Sequence, residues 1–450
     1  MGSKTAGPNT PGTPRNSAST PARRMAGRKG LADALTKRMR DSLLPGDTPF
    51  AAQKIREAAE FVLDTAARRE SKISAMTLAT ASNGHRFMRI AIVSDDMPFL
   101  VDSIAATIAA QGLAIDRLVH PVVAVDRNDN GELQTIDKSS AKDTARESMI
   151  YIETARIDAK KRRSLEKVLR TTLGDVRAAV TDWPKLRDMM LADAERISAA
   201  GSDIDGAELL RWLNDGMLTQ LGHVVRKRDG SESGRLGICR RSAKALLADQ
   251  SYDRAFEWFD NAANREGRIP LIIKANHVAN VHRRVPLDLF LIPIFEGKKL
   301  TSLSVHAGVW TSAALSAKPT EVPRLRTEMD RLMDQFGFDA NGHAGKALVH
   351  ALTALPHDLI IGFSSEDIAR VATAMMGLVD RPRPRLAIVE APLARHLFAF
   401  VWLPRDMLST QARTQIQTLL RGGASGELID WSLQVEGGNL AMLRFVLDIR

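Results

Sequence analysis

The sequence predicts an α+β fold assembled from repeated antiparallel modules. Residues 86–182 alternate as strand, helix, strand, strand, helix, strand; residues 271–310 carry strand-rich segments around a tight hairpin; and residues 385–450 begin the first pattern again. A βαββαβ unit closes as an antiparallel sheet with both helices on one face, which leaves the other face to be covered by a partner domain or subunit.

Each element follows from local chemistry. Residues 1–30 are rich in Ser, Thr, Pro and Gly, lack apolar periodicity and predict a disordered basic tail. Residues 31–72 predict a helical hairpin: Leu31, Leu35 and Met39 share a face, Pro45-Gly46 turns the chain, and a second helix runs over 49–70. The first module with its trailing helix spans 86–198. Its strands are 86–94, 113–126, 148–157 and 175–182, its helices 97–111 and 160–173, and a further helix runs from Trp183 to Ser198. Between the central strands, Asn128-Asp129-Asn130-Gly131 marks a turn. A second, β-rich module spans 206–320, with a helix at 206–215, a strand at 217–227 and a hairpin around Glu296-Gly297-Lys298-Lys299. Residues 321–380 predict three helices, at 321–337, 342–355 and 365–378. The segment 385–450 predicts strands 385–389, 396–403, 427–435 and 440–449 around a helix at 408–421. It reads as a third module without its closing helix and strand, as the front of a longer polypeptide would.

Composition narrows the function classes. Hydrophobic residues at 44% and charged residues at 26% suit a soluble globular protein of several domains. Of the formal charge of +10, residues 1–40 supply nine Lys/Arg against one Asp, so the near-neutral body argues against a nucleic-acid surface. No apolar run reaches membrane-span length, and the expected partners include neither nucleic acid nor membrane. The single cysteine, Cys239, excludes an internal disulfide framework and suits a reducing, cytoplasmic compartment.

The stretch Ser94 to Ser103 joins a buried strand to an apolar-striped helix. Asp96 is placed to cap that helix, and Pro98 falls in its first turn. Two readings stand together. In one, Asp96 caps and Asp102 is a solvated helix residue. In the other, free amides at the helix start receive a ligand's carboxylate while Asp102 receives its ammonium, an amino-acid effector site of Asp96, Phe99, Asp102 and Ser103. Arg283 and Arg284, followed by Asp288, offer either a carboxylate contact or an ion pair.

Signatures of catalysis are missing from the residues that would bear them. No GxGxxG follows a strand, Gly342 to Ala347 lacks phosphate-loop spacing, and HExxH and GxSxG do not occur. His277 and His282 would face opposite sides of a strand, and Pro356 interrupts the spacing of His343, His350 and His357, so no metal site is expected. Catalytic and cofactor-binding residues are likewise expected to be absent from this chain.

The run Asp96-Met97-Pro98-Phe99-Leu100-Val101-Asp102-Ser103, followed by His120-Pro121 and Glu147-Ser148, resembles the start of the large bacterial NAD-dependent glutamate dehydrogenases. The resemblance continues in order through Leu209 to Trp212, Lys274, Val281-His282-Arg283-Arg284 with Asp288, Leu355-Pro356 with Asp358, and Leu403-Pro404-Arg405-Asp406. Met217 to His223 departs from the family's aromatic-rich Phe-x-Phe-Leu-Gly-Tyr, and His357 stands where the family has Arg.

The resemblance implies three tandem ACT-type, ferredoxin-like βαββαβ modules with connecting helices. It also implies a parent reaction of amino-acid catabolism, the NAD-dependent oxidative deamination of L-glutamate to 2-oxoglutarate and ammonia, with the catalytic core beyond residue 450. NAD belongs to the implied full-length oxidoreductase rather than to this chain. The expected role is allosteric regulation and assembly: a homo-oligomer, an amino-acid effector, and the catalytic portion of the same enzyme as partner. The rival expectation is a stand-alone amino-acid-sensing ACT protein.

Overall fold

The computed structural model describes residues 21–137, 145–379, 381–435 and 438–449. In chain order these form α1 (Pro21–Asp41), α2 (Ala52–Ala66), β1 (Ala75–Asn83), β2 (His85–Asp95), α3 (Leu100–Ala109), β3 (Ile115–Val119), β4 (Val122–Arg127), β5 (Leu133–Ile136), β6 (Arg146–Ala155), α4 (Ala159–Ala200) and α5 (Ile204–Trp212). There follow β7 (Leu218–Lys227), β8 (Glu232–Gly237), α6 (Asp249–Asp260), α7 (Ala262–Arg265), β9 (Leu271–Val278), β10 (Pro286–Glu296), β11 (Lys299–Trp310) and α8 (Ser312–Leu315). The remainder is α9 (Leu325–Phe336), α10 (His343–Ala354), α11 (His357–Ile360), α12 (Ser365–Val379), β12 (Arg385–Glu390), β13 (His396–Pro404), α13 (Thr410–Ala424), β14 (Glu427–Val435) and β15 (Leu440–Asp448). Two compact units result. One holds the described residues up to Asp96 with Leu113–Arg162, the other Met97–Gly112 with the described residues from Arg163 onward.

The first unit is an antiparallel sheet in the order β1-β2-β6-β4-β5, with β3 also pairing β6. Ile90 lies opposite Ile152 and Ile92 opposite Ile150, so the β-branched residues form a buried stripe on one face. The other face is covered by the predicted helical hairpin. Leu35 and Met39 of α1 and Ile55, Ala59 and Val62 of α2 pack with Ala91, Val93, Met149 and Tyr151. Each large apolar side chain so buried contributes about 1.5–3 kcal/mol.

Four expectations change here. Residues 175–182 are not a closing strand. The buried positions Leu165, Leu169, Leu173, Val176, Ala179, Leu186, Met190 and Ile197 recur at helical spacing, and 159–200 is one helix that runs through Pro184. The edge place beside β2 goes instead to β1, an upstream hairpin partner turned at Gly84, whose φ is +76°. Residues 21–30, expected in the tail, are helical, while residues 1–20 of that tail lie outside the described residues. The helix after Asp96 begins at Leu100, because Phe99 takes a left-handed conformation (φ 68°, ψ 0°) and is itself the N-cap. Asp96 therefore does not cap it, and Pro98 lies outside it.

The second unit contains two sheets. The middle one has the order β8-β7-β11-β10-β9, with the expected Glu296 to Lys299 hairpin joining β10 to β11. The last has the order β12-β13-β15-β14. Its Ala399, Val401, Leu443, Phe445 and Leu447 pack under Ile416 and Leu420 of α13. On the opposite face, Phe398 and Phe400 meet Phe363, which follows α11. The first and last sheets share one arrangement, an edge strand (β1, β12) beside a strand that leads into a helix (β2, β13) and then the third (β6, β15) and second (β4, β14) strands of that module, whereas in the middle sheet the edge strand β8 follows its neighbour β7 in the chain.

Candidate functional site

Phe99, Asp102 and Ser103 come together on His282. Ser103 is fully buried, and its Oγ accepts the His282 backbone N–H at 2.9 Å. The His282 ring stands 5.1 Å from the Phe99 ring, and its Nδ1 lies 3.5 Å from Asp102 Oδ2. Both Phe99 (φ 68°) and His282 (φ 67°) are left-handed, a costly state for such residues that persists only where surrounding contacts hold it. The Asp102 carboxylate is 63% exposed, so one acidic group of the predicted site faces solvent. Ser103 is already engaged and Asp96 belongs to the other unit.

There, Asp96 accepts from Ser148 Oγ at 2.8 Å, and His120 Nε2 approaches the same Oγ at 2.9 Å. Since the hydroxyl proton goes to the carboxylate, His120 is the donor to Ser148. Burial lowers His120 against the pull of Asp96, which keeps the imidazole neutral. The order Asp–Ser–His leaves the serine between its partners rather than activated by the imidazole, so the chain of contacts is not a nucleophilic triad.

In the same unit a cleft of about 780 Å³ is lined by Arg69, Asp95, Arg127 and Glu147, among others. Arg69 binds Glu147 Oε1 at 2.7 Å and Asp95 at 2.5 Å, while Arg127 takes both oxygens of Glu147 at 2.8 Å. Burial disfavours the Arg69 charge, but Glu147 and then Asp95 outweigh it and raise its pKa.

Arg283 and Arg284 do not pair with Asp288. Arg283 Nη2 donates to the Trp310 carbonyl, and Arg284 is exposed. Asp288 belongs instead to a buried cluster in which Lys274 Nζ lies 2.6 Å from both Asp288 and Asp358, and Arg444 reaches Asp358 at 3.5 Å and Asp430 at 2.7 Å. Burial pushes the Asp288 carboxyl up to about 7 despite Lys274, with the Asp358 charge adding to the push. Asp358 stays low because Lys274 and Arg444 together overcome its burial. The cluster joins β9 and β10, α11 and β15, elements far apart in sequence.

Sequence reasoning had singled out Lys274 and Asp358 only through resemblance and had paired Asp288 with Arg283 and Arg284, and it missed Arg444, which lies in a strand buried along almost its whole length. It also missed Arg69 and Arg127, and a buried group of Asp193, His223 and His306. Among the described residues, no helix is long and apolar enough to cross a membrane.

Comparison with known proteins supplies the remaining findings. Residues 47–169 match a family model described as glutamate dehydrogenase, ACT1 domain; residues 322–381 match glutamate dehydrogenase, helical motif 1; residues 385–450 match glutamate dehydrogenase, ACT2 domain. The NAD-specific glutamate dehydrogenase of Halomonas elongata is 29% identical over 378 residues, covering 80% of this chain and 23% of that protein. The corresponding proteins of Pseudomonas aeruginosa and Mycobacterium tuberculosis are 28% and 22% identical, over 80% of this chain and 23% and 22% of their own lengths. The chain therefore spans about a quarter of the length of these curated relatives.

Proposed function

This chain belongs to the NAD-dependent glutamate dehydrogenase family, and from that premise we propose that it is a regulatory and assembly region rather than the catalytic part. The observation that carries this reading is the buried Lys274–Asp288–Asp358–Arg444 cluster. Three polar residues through which the chain resembles the family, Lys274, Asp288 and Asp358, are spent on one another and on Arg444, joining the middle sheet, the helical segment and the last sheet. Charged groups buried and paired in this way fix how elements meet. The parent reaction would be the oxidation of L-glutamate by NAD⁺ with water, giving 2-oxoglutarate, ammonium, NADH and a proton, with NAD held by the catalytic portion. Association of chains as a cytoplasmic homo-oligomer, in contact with that portion, completes the proposal.

A second reading, amino-acid effector binding, is favoured by the exposed Asp102 carboxylate beside His282 and the Phe99 ring. Asp102 would take the effector's ammonium, and binding would be coupled to assembly by different affinities for the two states. Calorimetric titration of the chain with a panel of amino acids tests it. Saturable binding of one of them, weakened at least about tenfold (~1.4 kcal/mol) by Asp102→Asn, is expected. Absence of saturable binding across the panel would overturn the effector reading and leave assembly as the role. A stand-alone sensor would bind equally well but would need no catalytic portion as partner.

A further inference from the structure

His223 on β7 and His306 on β11 are direct partners in the register of the middle sheet, and Ser304 lies two residues from His306 on the same face. Asp193 of α4 reaches this face. Asp193, His223, Ser304 and His306 are all at most 1% exposed. Asp193 Oδ2 lies 2.7 Å from His306 Nε2 and 2.5 Å from Ser304 Oγ, and Ser304 Oγ lies 2.9 Å from His223 Nε2. His223 Nδ1 is 3.2 Å from the Gly234 carbonyl, and Arg196 holds the other oxygen of Asp193.

Protons alone do not satisfy these contacts. Ser304 has one hydroxyl proton, and the short contact to Asp193 uses it. His223 must then donate from Nε2 to Ser304 and also from Nδ1 to Gly234, which only an imidazolium can do. That charge would have to sit on a fully buried ring 4.7 Å from the second imidazole of His306, and a neutral ring leaves one of the two contacts lone pair against lone pair. His306 Nδ1, also buried, has no hydrogen-bond partner.

We propose that Asp193 Oδ2, His223 Nε2 and His306 Nε2 bind one divalent transition-metal ion, zinc by the chemistry of the set. One ligand atom from each of the three lies within 4.8 Å of the others, and a tetrahedral site with bonds of about 2.0–2.2 Å needs ligand atoms roughly 3.3 Å apart. Ser304 Oγ, touching both Asp193 and His223, offers an oxygen as the fourth ligand. With the ion on Nε2, His223 Nδ1–H is free to donate to the Gly234 carbonyl, the outer hydrogen bond that orients metal-bound histidines. Two imidazoles and one carboxylate favour zinc over the hard, oxygen-seeking magnesium and calcium. The ion would clamp α4 to the two central strands of the sheet.

The test uses the tag-free 450-residue chain, stripped with a chelator and titrated with Co²⁺ and then Zn²⁺. Expected results are one ion per chain by elemental analysis, the intense visible absorption of four-coordinate cobalt, its displacement by zinc, and a rise in melting temperature that saturates at one equivalent. His223→Gln and Asp193→Asn should each weaken binding at least about tenfold in protein that circular dichroism shows to be folded. The variant His350→Gln, at an exposed histidine of α10, should leave it unchanged. A folded wild-type chain without stoichiometric uptake overturns the site, as does stoichiometric binding that survives His223→Gln and Asp193→Asn. If those variants do not fold, the wild-type cobalt spectrum decides, because weak six-coordinate absorption also contradicts it.

Discussion

Lys274 is the residue on which the buried ionic cluster turns. Its ammonium serves two carboxylates inside the protein, so Lys274→Met leaves both without their nearest cation, and a loss of about 3–5 kcal/mol in denaturant unfolding is expected. The two carboxylates respond to pH in opposite directions. Asp288, raised from 3.8 to about 7, contributes stability that is fully present below its unfolded value and lost as pH rises through about 7. Asp358, held low, contributes stability that is present above its unfolded value and lost as pH falls. Asp288→Asn removes the first dependence. Between pH 5 and 7 the wild type should lose stability relative to that variant by about 1 kcal/mol per pH unit, measured by paired melts across the range. Sequence could suggest Lys274, Asp288 and Asp358 by resemblance, but not that they meet. Lys274 and Asp358 are 84 residues apart, and neither periodicity nor local pairing carries information over that span.

The helix over 159–200 is the element where sequence and structure part most clearly. Residues 175–182 hold a short apolar run flanked by aspartates, which local patterning assigns equally to strand or helix. The decision is made by burial at Leu173, Val176 and Ala179, continuous with the stripe on either side. Ala178→Pro tests it. In a helix interior the substitution breaks a backbone hydrogen bond and should cost about 3 kcal/mol, with local loss of hydrogen-exchange protection; on an edge strand with its N–H toward solvent it would be tolerated. β1 escaped notice for the converse reason. Its Ala-Met-Thr-Leu-Ala-Thr-Ala-Ser-Asn sequence is poor in β-branched and aromatic residues, and it becomes a strand by pairing with β2 along its full length. The helical hairpin, the Glu296 to Lys299 turn and the strands of the last sheet carried strong local signals, and they formed as expected. At the predicted effector loop, the strand and the residues were legible. The left-handed Phe99 and its contact with His282 were not, because they arise from packing against a segment far along the chain.

On the scale of the whole molecule, the first and last sheets share a strand arrangement, and the segments that contain them, residues 47–169 and 385–450, match ACT domains of one dehydrogenase family. Several of the polar residues that the sequence singled out, Lys274, Asp288 and Asp358 among them, lie in contacts that hold elements together, while Asp102 and Arg284 are exposed. Glutamate-dependent reduction of NAD⁺ by the purified 450-residue chain tests the resulting account most directly. A regulatory and assembly region shows no turnover above the rate without protein, at any glutamate concentration. Sustained NADH formation by this chain alone, abolished when glutamate is omitted, would contradict it.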